Sequence, residues 1–142
     1  MNKKEIFDFL NKNSSCYLAT VEGNKPHVRG IWMYRADENG IIFHTGKMKN
    51  LFGQLQANQN VELCFNNANP DPAQYLQIRV SGVVSLDTEK KLKDEIVIAR
   101  PFLNSIIAKY GEDSIVVYRV KNLKATLWTF ATNLEPKTYI DL

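Results

Sequence analysis

Between Ser14 and Gly46 the sequence sets three β-rich runs against short turns, with no helical stretch among them. Cys16-Tyr17-Leu18-Ala19-Thr20-Val21 closes on Glu22-Gly23-Asn24-Lys25-Pro26, a turn composition. The run from His27 to Ala36 has Val28, Ile31 and Met33 among its apolar residues and leads into Asp37-Glu38-Asn39-Gly40. The Asn-Gly pair there suits the positive φ of a tight hairpin. Ile41 to Thr45 is the third run. A meander of three antiparallel strands is the expected result, and it commits the chain to antiparallel pairing from its start.

The rest of the chain adds to this sheet. Ile6, Phe7, Phe9 and Leu10 give residues 2–12 the spacing of a short amphipathic helix. A second helix is expected over 47–58 from Leu51, Phe52 and Leu55, with Gly53 working against it. Residues 60–66 return to strand, 67–72 form a loop, and 75–86 make a long strand in which Gly82 marks a bulge or a close backbone contact. Residues 88–109 are helical, capped by Asp87 or Thr88, kinked or divided at Pro101 and ended by Gly111. Two final strands, 114–119 and 123–131, precede an eleven-residue tail. The order α-β-β-β-α-β-β-α-β-β has six or seven strands and no βαβ alternation. It predicts a mainly β fold, an antiparallel barrel with helices at its ends or flank, in a single domain over 1–142.

Composition excludes several functions. The formal charge of +3 is small, and no basic run reaches five residues, so nucleic acid is not expected as a partner. No stretch approaches the ~20 apolar residues of a membrane helix. The opening Met1-Asn2-Lys3-Lys4-Glu5-Ile6 lacks the apolar core of a secretory signal, so a cytoplasmic location is expected. Cys16 and Cys64 lie in apolar runs without ligand spacing and read as buried, reduced thiols. With only His27 and His44 for histidines, no metal site is expected.

The segment Phe43-His44-Thr45-Gly46-Lys47-Met48-Lys49-Asn50 collects a hydroxyl, a turn glycine, two ammonium groups and a helix start. A phosphate needs donors and opposing charge of this kind when it leaves water. Read alone, the segment is equally a turn with two solvated lysines. Arg29 falls in the middle of a strand, where a charge needs water or a partner, and Gly30 would let a flat ring lie against the backbone. His44 is the first candidate for any proton transfer. Trp128 is either barrel core or a lid on an aromatic ligand at a dimer interface. Gln77 and Arg79 share one face of their strand.

Taken together, Pro26-x-Val28-Arg29-Gly30, Phe43-His44-Thr45, Lys47-Met48-Lys49-Asn50, Gln77-x-x-x-x-Gly82 and Leu127-Trp128 resemble the pyridoxamine 5′-phosphate oxidase-like FMN-binding split barrels. The short nitroimidazole-reductase and general-stress-protein types are the most similar. The likeness runs from Lys4 to Ala131. It implies a Greek-key split β-barrel that binds FMN, and a homodimer with the cofactor at the interface. By the resemblance, Arg29, Gly30, Ile31 and Trp32 run beside the isoalloxazine ring. His44 and Thr45 lie near the ribityl chain and phosphate, and Lys47, Lys49 and Asn50 form the phosphate segment. Gln77 contacts the ring, and Trp128 closes the site from the partner chain.

The resemblance implies an oxidoreductase that passes electrons from a reduced nicotinamide or another donor to a small acceptor. A non-catalytic flavin-binding stress or carrier protein, and a haem- or deazaflavin-binding relative, are the alternatives. Two departures matter. The tail from Asn133 to Leu142 has neither Arg nor His where the true oxidases hold the substrate phosphate, so pyridoxamine 5′-phosphate oxidation is not expected. His44 also stands where those enzymes carry Tyr.

Overall fold

The computed structural model describes residues 1–142. Helix α1 (Lys3–Lys12) starts at a capping box in which the Asn2 side chain accepts from the Glu5 amide and Glu5 returns the bond to the Asn2 amide. It buries Ile6 and Leu10. Strand β1 (Ser15–Glu22) alternates strictly, with Cys16, Leu18 and Thr20 inward. It pairs along its whole length with β2 (Lys25–Trp32).

Here the expected meander fails. The run His27 to Ala36 is two strands, because Met33 turns into the core and Tyr34 crosses to the other edge of the sheet. The Asn39-Gly40 turn joins β3 (Arg35–Asp37) to β4 (Gly40–Gly46), and this hairpin lies at the sheet's far end. Helix α2 (Asn50–Ala57) begins three residues later than predicted, after a turn in which the Lys49 amide donates to Gly46.

Strands β5 (Asn60–Asn66) and β6 (Leu76–Leu86) match the prediction closely. Gly82 does mark a bulge: the register with β7 (Ile115–Thr129) slips between Ser81 and Val83. A Cβ on Gly82 would sit 2.6 Å from Val120 and 2.7 Å from the Lys121 carbonyl, so only glycine fits there. The predicted long helix is divided at Pro101 into α3 (Lys90–Ala99) and α4 (Leu103–Tyr110). The cap of α3 is Glu89 rather than Asp87 or Thr88; Asp87 instead accepts the Glu89 amide and holds Arg119. The two predicted last strands are one, β7, bent at Asn122, which takes a φ of 55°. The tail returns as the short β8 (Ile140–Asp141) on β7.

The eight strands form one antiparallel sheet in the order β2-β1-β5-β6-β7-β4-β3, with β8 on β7. The sheet curls without closing. Its inner face packs Leu18, Phe43, Leu63, Phe65, Ile78 and Val80 against α1. Strand β4 is buried on both sides: Phe43 faces this core, while Ile42 joins Leu92, Ile96 and Leu103 of α3 and α4 in a second cluster. The α3–α4 turn is thereby held against the gap in the sheet. Cys16 is buried as expected, but Cys64 is only half-buried, because β5 turns it to the outer face. No helix is long and apolar enough to cross a membrane.

Candidate functional site

The gap in the sheet holds the candidate site. Strand β2 has no strand neighbour beyond β1, and its end approaches β4, where the Tyr34 amide donates to the Ile42 carbonyl at 2.8 Å. A cleft of about 890 Å³ opens there, lined by β2, the end of β4, the start of α2 and one side of α4. That volume falls in the range of small-molecule and cofactor pockets.

Most of the predicted residues converge on it. Arg29, Gly30, Ile31, Trp32, His44, Thr45, Lys49 and Asn50 all line the cleft. Alternation on β2 turns Arg29 inward. Its guanidinium donates to the Thr20 hydroxyl at 2.9 Å, to the Leu18 carbonyl at 3.3 Å and to the Gln54 side-chain oxygen. All three partners are neutral. Burial draws the Arg29 pKa down, yet an arginine stays charged in a protein. Gly30 faces the other way, and a Cβ there would meet nothing nearer than the Cys16 carbonyl at 4.0 Å. The backbone is bare at that point. Lys49 is the N-cap of α2 and supplies no side-chain acceptor; the Phe52 amide donates to the Lys49 carbonyl at 3.1 Å, which leaves the Asn50 and Leu51 amides open.

Three predicted residues lie elsewhere. The Lys47 amide donates to Ser114 at 2.8 Å and its exposed side chain is outside the cleft. Gln77 and Trp128 face each other directly across β6 and β7, on the outer side of the sheet. The Trp128 ring meets Tyr75 edge-on at 5.8 Å, and its Nε1 donates to Asn133 at 2.8 Å. The same outer face carries one aligned row across five strands: Gly30, Tyr17, Cys64, Arg79 and Thr126.

The sequence reading missed Arg100. It is 5 % exposed, at the end of α3 before Pro101. It donates to the Trp32 carbonyl at 2.9 Å and the Met33 carbonyl at 2.7 Å, and lies 2.9 Å from Nε2 of His44. Its guanidinium stacks on Trp32 at 3.8 Å, and Phe102 stacks on the same indole at 5.9 Å. The signal was a single charge inside the apolar run from Ile96 to Leu103. Burial, then the charges of Arg100 and Lys49, push His44 down to about 4, so it is neutral near pH 7.

The lining contains Arg29 and Lys49, with Arg100 behind Trp32, and not one carboxylate. Its apolar and aromatic wall includes Ile31, Trp32, Met48, Phe102 and Ile106, and its neutral polar groups include Thr45, Asn50 and Gln54. An open antiparallel barrel with such a cleft at its split defines a split-barrel protein. The chain belongs to the pyridoxamine 5′-phosphate oxidase family, whose model matches residues 3–133. It is 28 % identical over 125 residues to the pyridoxine/pyridoxamine 5′-phosphate oxidase of Haemophilus influenzae; the match takes in 87 % of this chain and 57 % of the relative, so the chain spans little more than half of that enzyme's length. Among solved structures it is similar to a NimC/NimA family protein of Clostridium acetobutylicum, with a TM-score of 0.74 at 25 % identity over 98 % of this chain and 92 % of the other. A pyridoxamine 5′-phosphate oxidase-related, FMN-binding protein of Nostoc punctiforme shares the fold, with a TM-score of 0.66 at 16 % identity over 96 % and 87 %. So does the haem storage protein HutZ of Vibrio cholerae, with a TM-score of 0.67 at 14 % identity over 89 % and 93 %.

Proposed function

We propose that the chain binds FMN noncovalently in the split-barrel cleft and acts as a flavin-dependent oxidoreductase. It would pass electrons from a reduced nicotinamide or another donor to a small acceptor. One observation carries this reading: the cleft gathers cations without a carboxylate beside a bare stretch of β2 backbone. An uncompensated cationic cluster next to a flat, partly apolar wall fits a ligand that is anionic at one end and planar at the other. FMN has that chemistry.

The residues divide the work by position. Lys49, Thr45 and the open amides of α2 hold the phosphate, since they sit together at the start of that helix. Arg29 reaches the phosphate or the edge of the ring from β2. Gly30 and Ile31 offer the ring a flat backing, and Trp32 with Phe102 walls the cleft from water. When bound, a flavin supplies hydride and single-electron transfer, and the protein supplies position and electrostatics.

A homodimer completes the reading. Gln77 and Trp128 lie outside the cleft of their own chain, on an outer face where Tyr17 and Val28 stand exposed. A second copy laid on that face would bring both residues to its partner's cleft. Large exposed apolar residues on one sheet face are what such an interface covers.

The spectrum and mass of whatever co-purifies test the binding. A flavin spectrum and the mass of FMN support the reading. A Soret band, or a mass other than FMN, overturns it. Anaerobic addition of NADH or NADPH then separates enzyme from carrier: bleaching of the bound flavin, followed by reoxidation by an acceptor faster than by oxygen, supports turnover. No reduction by either nicotinamide and no acceptor faster than oxygen supports the carrier instead.

A further inference from the structure

Arg100 has a role that flavin binding does not require. A guanidinium has five N–H donors and no acceptor. It stands 2.9 Å from His44 Nε2, so that nitrogen can only accept, and the imidazole proton is placed on Nδ1. Arg100 cannot swing away at little cost. Its second amine donates to the Met33 carbonyl, the first also serves Trp32, and the plane stacks on the Trp32 ring. Three anchors from β2 and its exit therefore aim one donor at His44. Nδ1 of His44 makes no hydrogen bond within the protein, and the residue lines the cleft.

We propose that Arg100 is a positioning residue that locks His44 as the neutral Nδ1–H tautomer, making His44 a hydrogen-bond donor to an acceptor atom of the cleft's ligand. The same lock bars Nε2 from taking up a proton or ligating iron. His44, which the sequence alone offers as a candidate base, becomes a fixed donor. The charged groups that face it act in the same direction: Arg100 from the α3–α4 turn and Lys49 from the start of α2 both oppose an imidazolium, and no carboxylate among the cleft residues favours one. The neighbouring Tyr34 and Glu95 bond each other at 2.6 Å and reach Arg100 only through the Tyr34 ring, 5.5 Å away.

The test is long-range 1H–15N NMR of the histidine rings across a pH titration, on flavin-free protein. It therefore stands or falls apart from the FMN reading. Wild type is expected to show His44 as the Nδ1–H tautomer and unprotonated down to a pH near 4. Arg100→Gln is expected to mix the tautomers and raise the pH at which His44 titrates. Arg100→Lys, which keeps the charge but not the fork, should keep the low titration point and lose the single tautomer. An Nε2–H tautomer in the wild type overturns the proposal without recourse to any variant. So does an Arg100→Gln protein that folds, by its dispersed spectrum, and leaves both tautomer and titration unchanged.

Discussion

Two cavities of this protein are lined by arginine, and they treat it in opposite ways. The depression of about 510 Å³ beside the β3–β4 hairpin has Arg35 and Arg119 in its wall. Arg35 lies 3.1 Å from Asp37 and 3.2 Å from Glu95, and Arg119 lies 3.0 Å from Asp87. Their charges are answered within the chain. In the cleft at the split, Arg29 meets only a hydroxyl, a carbonyl and an amide oxygen, and Arg100 meets two carbonyls and an imidazole. Each makes three hydrogen bonds, so the geometry is fixed, but no opposite charge is present. A folded chain that fixes a guanidinium and withholds a carboxylate keeps its positive potential for something outside itself.

The largest effect that would break this contrast is on ligand affinity. The double substitution Arg29→Ala, Lys49→Ala should weaken FMN at least about 100-fold in a fluorescence titration. Each charge-assisted bond is worth roughly 1.5–3 kcal/mol, and each ~1.4 kcal/mol is a factor of ten. Full retention of affinity would place the phosphate elsewhere.

The next effect concerns His44. An unfolded chain protonates this residue near its ordinary 6.5, and the folded one only near 4. Between those values the unfolded state holds the extra proton, so folding stability falls as pH falls through the window, and is unaffected by this group above it. The loss is on the order of 2 kcal/mol after allowance for partial exposure. Denaturant unfolding of wild type against His44→Asn reads it as a gap that closes below about pH 6.

Arg119→Ala should cost about 1–2 kcal/mol of stability, because it strands the half-buried Asp87, and leave FMN affinity unchanged. Arg35→Ala, in an exposed pair, should cost less than ~1 kcal/mol and also leave affinity alone. A large affinity loss from either would erase the distinction between the two cavities.

Much of this was legible in the sequence, and the failures have physical causes. Strand β5, the bulge at Gly82 and the division at Pro101 follow from alternation and from what glycine and proline do to a backbone. The cleft residues on β2 and β4 were found because they lie in two short segments. The break at Met33–Tyr34 was hidden, since an apolar residue reads the same whether a strand continues or crosses to another edge. The two expected strands, 114–119 and 123–131, are one, because one positive φ at Asn122 bends β7 without ending it. Arg100 was out of reach because its meaning lies in partners 56 to 68 residues away, which no local pattern records.

The most direct test of the central claim compares FMN with riboflavin on the ligand-free protein. The two share the ring and differ in the phosphate. A cleft whose cations are free for an external anion should bind FMN at least about 100-fold more tightly, with the difference shrinking as salt is raised. Equal affinities, or a preference that salt does not alter, would contradict the account.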